Sequence, residues 1–189
     1  AYDALLPERV PMVFPALLRL LRASPDVAYL ATRSALALAK AKKVDMVPVM
    51  SSFYVRASDP AYLAGSKLRV LVCVSPSSHA SVLANELGAY AHAPSIPLAL
   101  DSVTALGILA RRHGEVSELC LQLLMDLAQE AAIPTLVLSR AIQIIKALVR
   151  VSSPSMAATI VTRFCLRLFV PLARRGRSLD APKIRILTD

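Results

Sequence analysis

Four prolines set the spacing of this chain. Pro25, Pro60, Pro97 and Pro134 are separated by 35, 37 and 37 residues, and each stands at or near the point where one apolar-periodic stretch gives way to the next. Proline has no N–H and a fixed φ, so it suits the first turn of a helix and not the interior. A proline recurring at this interval therefore marks a recurring helix start. The apolar positions behind it recur too: Ala35, Leu68, Val103 and Ile142, and three residues further on Leu38, Leu71, Leu106 and Ile145. Residues three apart share a helix face, so the same buried face returns once per period.

This interval is that of paired-helix repeats. After Pro7, Pro11 and Pro15 interrupt the first residues, the pattern predicts helices over Ala16–Arg22, Asp26 to about Lys43, Asp45–Val55, Ala61–Val74, His79–Ala91, Ile96–Arg112, Val116–Glu130 and from Ile133-Pro134 to Arg150, with Gly114 as a helix-ending glycine. Strand readings compete only over Leu68 to Val74 and Leu136 to Leu138, inside stretches whose period is 3.6. Beyond Val151 the pattern loosens into a helix over Met156–Leu172, a basic loop from Ala173, and a restart at Leu179-Asp180-Ala181-Pro182 only about two turns before Asp189. The expected fold is all-α, a right-handed α-solenoid of about five HEAT/armadillo-like helix pairs and roughly ten helices. Residues 1–189 read as part of a single solenoid, a stretch of a longer superhelix, with 1–151 its clearest repeats and 152–189 a diverged one.

Composition narrows the function classes. Hydrophobic residues are 56% of the chain and charged residues 19%, which fits helices covered on two sides by their neighbours and a surface covered by partner subunits. The longest charge-free run, Val70 to Asn85, contains Pro76, several serines and His79, and is shorter than the about 18 apolar residues of a membrane span. Cys73, Cys120 and Cys165 lie 47 and 45 residues apart, which excludes a dense disulfide framework or a CxxC metal site and suits a reducing compartment. His79, His92 and His113 fall on separate predicted helices and read as ordinary histidines, not ligands. No phosphate-cradling Gly-rich loop, GxSxG elbow or HExxH pair is present, so the chain reads as non-catalytic, with no cofactor and no metal.

The net charge is +9. Lys40, Lys42, Lys43, Arg111, Arg112, Arg174, Arg175 and Arg177 form three basic clusters, candidate contacts for an acidic partner or an anionic membrane surface. No aromatics interleave with them as a nucleic-acid stacking platform requires, so nucleic acid is not an expected partner.

The most distinctive local pattern is Ser52-Phe53-Tyr54-Val55-Arg56 followed by Asp59-Pro60 and Lys67-Leu68. It reads as a corner between helices: Phe53 and Tyr54 pack between repeats, Arg56 meets a helix C-terminus or an acidic side chain, and Asp59 caps the helix that Pro60 opens. These residues resemble the beta-adaptin trunk, the large beta subunit of heterotetrameric clathrin-type adaptor complexes, in its aromatic-aromatic-valine-basic corner, Asp-Pro helix start and Lys-Leu. The Ser-Phe-Tyr-Val-Arg form is most similar to the beta subunit of the third adaptor complex. Ala105-Leu106-Gly107 resembles the family's Ala-Ile-Gly, Ala141-Ile142-Gln143-Ile144-Ile145-Lys146 its Ala-Ile-Val-Val-Ile-Lys, and Pro182 with Arg185 a Pro-x-x-Arg element. The family's Arg-Cys after Ala-Ile-Gly is Ile108-Leu109 here. The resemblance implies a scaffold subunit of a vesicle coat, working in traffic from Golgi and endosomes to lysosome-related organelles. The implied location is cytoplasmic and peripheral on those membranes and on coated vesicles. It implies a hetero-oligomer with a medium (mu) subunit and a second large subunit, with a small GTPase and anionic lipid as further partners. A related coat subunit and a nuclear-transport-type helical-repeat cargo carrier are the alternative readings.

Overall fold

Pro25, Pro60, Pro97 and Pro134 each stand at the start of a helix. In the computed structural model, which describes residues 10–41, 47–130 and 132–151 together with Ala158 and Thr162, the elements are α1 (Val10–Leu20), α2 (Pro25–Lys40), η1 (a 3-10 segment, Val47–Phe53), α3 (Ala61–Val74), α4 (Ser77–Ala91), α5 (Ile96–Arg112), η2 (Gly114–Val116, 3-10), α6 (Ser117–Gln129) and α7 (Thr135–Val151). Of the expected helix over Met156–Leu172 only Ala158 and Thr162, both helical, are described; the basic loop and the restart at Pro182 lie outside the described residues. Among the described residues there is no strand, and none of their helices is long and apolar enough to cross a membrane. Leu68 to Val74 and Leu136 to Leu138 are helical, the longer period having overridden their local β propensity.

The starts share one construction. Ser24, Pro60, Ser95 and Pro134 each stand at or just before the helix start, and their backbone carbonyls accept the first-turn N–H groups of Ala28 (2.9 Å), Leu63 and Ala64 (3.0 Å each), Ala99 (3.0 Å) and Val137 and Leu138 (3.0 Å each). No side-chain cap forms at α2, α3 or α5. Proline, by fixing φ in this first turn, does the work elsewhere given to a capping side chain.

Contacts group the chain into two units that divide after Leu83. In the first, α1 packs on α2, α2 on α3, and η1 on α3. In the second, α5, α6 and α7 pack on one another with η2 in the turn between α5 and α6. The eight recurring apolar positions are all buried: Ala35 1%, Leu68 1%, Val103 0%, Ile142 4%, Leu38 1%, Leu71 0%, Leu106 1% and Ile145 3% exposed. Side chains facing each other across helices are about one period apart in sequence. Gly107 lies against Ile144, Gly88 against Leu123, and Tyr62 against Asp26. The period legible in the prolines is thus the distance between packed neighbours.

Three local expectations are corrected. The helix predicted over Asp45–Val55 is instead the seven-residue η1. Pro48 lacks a donor, and Val47, Val49, Ser51 and Ser52 are weak helix formers, so a stretch this short settles into the tighter 3-10 form against α3. α1 begins at Val10 and not at Ala16, with Pro15 inside it. Because the first four N–H groups of a helix have no intrahelical partner, Pro11 and Pro15 together remove only one ladder bond. Gly114 does not end α5 in a left-handed conformation. The helix closes on His113 at φ −125 and ψ 92, and Gly114 starts η2.

Two glycines test the packing between neighbours. A Cβ on Gly107 would stand 2.5 Å from Ile144 Cγ2, a methyl held by a stiff β-branched side chain, whereas one on Gly88 would meet the mobile Leu123 methyls at 3.1 Å. Gly107→Ala is expected to lower stability by about 1–3 kcal/mol through overpacking, outweighing the about 1 kcal/mol of helix propensity that alanine supplies. Gly88→Ala should stay within about 1 kcal/mol of the parent. Urea midpoints of the two variants check this, and equal midpoints would show that close approach at Gly107 is not a constraint.

Candidate functional site

The corner motif does come together, though not in the expected way. Phe53 ends η1 and is fully buried, Tyr54 and Val55 are half-buried, and Arg56 is exposed. The chain then reverses through Arg56 to Asp59, where the Asp59 N–H donates to the Arg56 carbonyl (3.0 Å) and the Arg56 N–H donates to Asp59 Oδ2 (2.8 Å). Both backbone polar groups of Arg56 are thereby satisfied by one residue. Asp59 does not cap α3: the cap position is Pro60 (φ −66, ψ 154), and the carboxylate instead faces back into the turn.

The same Oδ2 receives Lys67 Nζ at 2.6 Å. Lys67 is two turns into α3, flanked by buried Ser66 and Leu68, and is itself 1% exposed. Side chains on a helix lean toward its N-terminus, so the lysine stem lies back along α3 and delivers its ammonium to the corner. One carboxylate thus joins the turn to the body of the helix. A charge in this position is costly unless paired, and the sequence signal for it is that Lys67 stands four residues after Leu63 and four before Leu71, on the apolar face of α3. Sequence reasoning read Lys67 as a family residue and missed its partner.

A second cluster lies on the outer surface of α2 and α3. The Tyr62 hydroxyl donates to Asp26 Oδ1 at 2.8 Å, which, with the carboxylate's negative charge, raises the phenol above its ordinary value of 10.0. The Tyr29 and Tyr62 rings meet edge to face, centroids 5.5 Å apart at 82°. The Arg33 guanidinium lies 5.9 Å from the Tyr29 centroid, with Nη1 3.4 Å from the Tyr29 hydroxyl. Leu30 beside them is 64% exposed. None of these residues belongs to the corner motif.

The basic clusters are dispersed. Lys40 is exposed in the last turn of α2, and Arg111 and Arg112 are exposed in the last turn of α5, where cations face the negative end of the helix dipole. Lys42, Lys43, Arg174, Arg175 and Arg177 lie outside the described residues. The histidines are engaged separately. His92 Nδ1 donates to the Gly88 carbonyl (2.8 Å) and its Nε2 meets Glu130 Oε1 (2.7 Å), joining the end of α4 to the end of α6. His113 is buried at the end of α5, and His79 Nδ1 is 3.1 Å from Ser78 Oγ. Among the described residues no three His, Cys, Asp or Glu are grouped to hold a metal ion. Nor does any buried side-chain nitrogen or oxygen among them lack a hydrogen-bond partner. Among the described residues the titratable and polar side chains are spread over separate helix ends and turns.

No family model matches the chain. It is similar to the beta-1 subunit of the AP-3 complex of Canis lupus familiaris, 26% identical over 168 residues, which is 87% of this chain and 15% of that protein. The beta-1 subunit of the AP-1 complex of Mus musculus is 26% identical over 171 residues, 90% of this chain and 17% of that protein. The AP-1 beta subunit of Dictyostelium discoideum is 25% identical over the same length and shares. The chain spans roughly a sixth of the length of the curated relatives it matches. AP-1 and AP-3 subunits are equally similar to it, so identity does not single out the third complex.

Two measurements follow from the buried groups. Asp59→Ala leaves Lys67 buried and unpaired and is expected to cost about 3–5 kcal/mol, against the about 1 kcal/mol of a lost helix cap. Asp59→Ala combined with Lys67→Met should recover most of that loss. A double variant no more stable than Asp59→Ala would show the pair to be uncoupled. Burial pushes the Cys120 thiol up from 9.0 to about 12, against a smaller lowering by its backbone hydrogen bond. At pH 8 its thiolate fraction is therefore about one in ten thousand, and iodoacetamide should spare Cys120 in the folded chain and label it in urea. The sign for stability is fixed as well. Between pH 9 and 12 the unfolded thiol releases a proton that the folded one keeps, so Cys120 destabilises the fold progressively as pH rises. Cys120→Ala should flatten that part of the stability profile.

Proposed function

We infer that this chain, a relative of adaptor-complex beta subunits, is a non-catalytic scaffold segment of a vesicle-coat adaptor complex. The observation that carries the reading is the coincidence of three things: similarity over 86–90% of the chain, an all-helical array packed at one-period spacing, and a corner whose motif residues build structure. Stacked helix pairs touch only their neighbours and present an extended surface, which serves assembly and not turnover.

At the finer level the segment forms part of a single right-handed trunk solenoid spanning residues 1–189. It works in a hetero-oligomer with a medium (mu) subunit and a second large subunit. A small GTPase and anionic membrane lipid are further partners, and Lys40, Lys42, Lys43, Arg111, Arg112, Arg174, Arg175 and Arg177 are the segment's contacts to an acidic partner or to the membrane. The assembly is peripheral on Golgi and endosomal membranes and moves cargo toward lysosome-related organelles. The Ser-Phe-Tyr-Val-Arg form of the corner is what favours the third complex over the first.

Affinity purification of the full-length protein from its own cells tests this. Recovery of a medium, a small and a second large adaptor subunit in stoichiometric amounts is the expected outcome. A nuclear-transport GTPase as the sole partner would overturn it.

A further inference from the structure

The α2–α3 surface combines features that neither the fold nor the coat reading requires. Leu30 is 64% and Tyr62 48% exposed, adjacent to an Arg33 that is also exposed. The aromatic part is held rigid before anything binds: Tyr62 is fixed by its hydrogen bond to Asp26, Tyr29 by the edge-to-face contact, and Arg33 by the Tyr29 ring. Tyrosine and arginine dominate binding hot spots because they supply large, stiff contact area together with donors, and side chains already ordered lose little entropy on association.

Charge identifies the occupant. Arg33 and Lys40 lie seven residues apart on α2, and Arg69 lies seven beyond Tyr62 on α3, so each pair shares a helix face. The contact between Tyr62 and Asp26 near the starts of both helices sets Arg69, seven residues beyond Tyr62, level with Arg33, seven beyond Asp26. All three cations are exposed, and among the described residues none is paired with a carboxylate. The ridge therefore runs from an apolar, aromatic head to a line of exposed cations. Asp26 at its head disfavours a sheet of anionic lipid headgroups, which would press on every residue of the ridge at once. A linear segment can seat its apolar side chain there and keep its own carboxylates further along. We propose that the ridge of Leu30, Arg33, Tyr62 and Arg69 docks an acidic linear segment of a partner protein, anchored by an apolar side chain. This surface does not depend on the coat reading.

Panning a random linear peptide library on the immobilised chain tests the proposal. Enriched peptides should carry Asp and Glu beside Leu or an aromatic residue. The strongest, fluorescein-labelled and followed by anisotropy, should lose at least about tenfold in affinity to Leu30→Asp and to Arg33→Glu, and nothing to Arg150→Glu, a control in the last turn of α7. Matched thermal midpoints show that the surface variants are folded. Three outcomes would overturn the proposal: enriched peptides without acidic residues, equal losses in the Arg150 control, or no enrichment while phosphatidylserine–phosphatidylcholine vesicles bind the chain in an Arg33-dependent manner.

Discussion

A helix pair of this size cannot cover both of its faces. One face closes within the pair, and the other stays apolar until the neighbour one period along the chain lies against it. The structure meets this constraint in both units by packing helices of like position side by side, α2 with α3, α5 with α7, and α4 with α6 through Gly88–Leu123 and His92–Glu130. At Gly107 the approach is so close that the absence of a Cβ is a condition of contact with Ile144. The Ala105-Leu106-Gly107 and Ala141 to Lys146 segments, which resemble two separate family motifs, are thus two sides of one interface.

The corner obeys the same economy of parts. A capping carboxylate satisfies one or two N–H groups at the head of a helix. Asp59 instead holds the preceding turn through Arg56 and the following helix through Lys67, leaving the helix start to Pro60 and its carbonyl. The difference matters for energetics, because a half-exposed cap and a buried ion pair differ several-fold in the cost of losing one partner. It also explains why lysine tolerates such burial: its ammonium reaches the Asp59 carboxylate, and its stem packs as a hydrocarbon.

How much of this was legible in the sequence depended on whether the determining contact was local. α3 and α5 begin and end where the pattern put them, because proline and a 3.6-residue apolar period act within one helix. The eight recurring core positions were equally visible. What failed depended on competition between local options: η1 in place of an α-helix, Pro15 inside α1, and the closure of α5 on His113. What was missed altogether depended on partners distant in sequence. Nothing near Lys67 announces Asp59 eight residues away as its counter-ion, and nothing near Tyr29 announces Tyr62 one repeat later. The residues that carry the family resemblance were legible, and among them Phe53 is buried and Asp59 and Lys67 pair at the corner. The aromatic ridge, which matches no motif, was not.

That division bears on where recognition resides. An apolar content of 56% could serve either internal stacking or a large surface awaiting partners. Among the described residues the recurring core positions of α2, α3, α5 and α7 are consumed by stacking, while the exposed large hydrophobics are scattered along the helices, Leu20, Val82 and Ile108 among them. The greasy composition is therefore mostly spent inside the array, and the surface it leaves is set by charge. Arg19, Arg22, Arg33, Arg56, Arg69, Arg140 and Arg150 are all exposed, so the net positive charge is presented at the surface. Where such cations flank isolated apolar side chains, attraction is long-range but specificity is local. At low ionic strength the chain would draw acidic partners broadly, whereas only surfaces already rigid, as Tyr29 and Tyr62 are, can select among them.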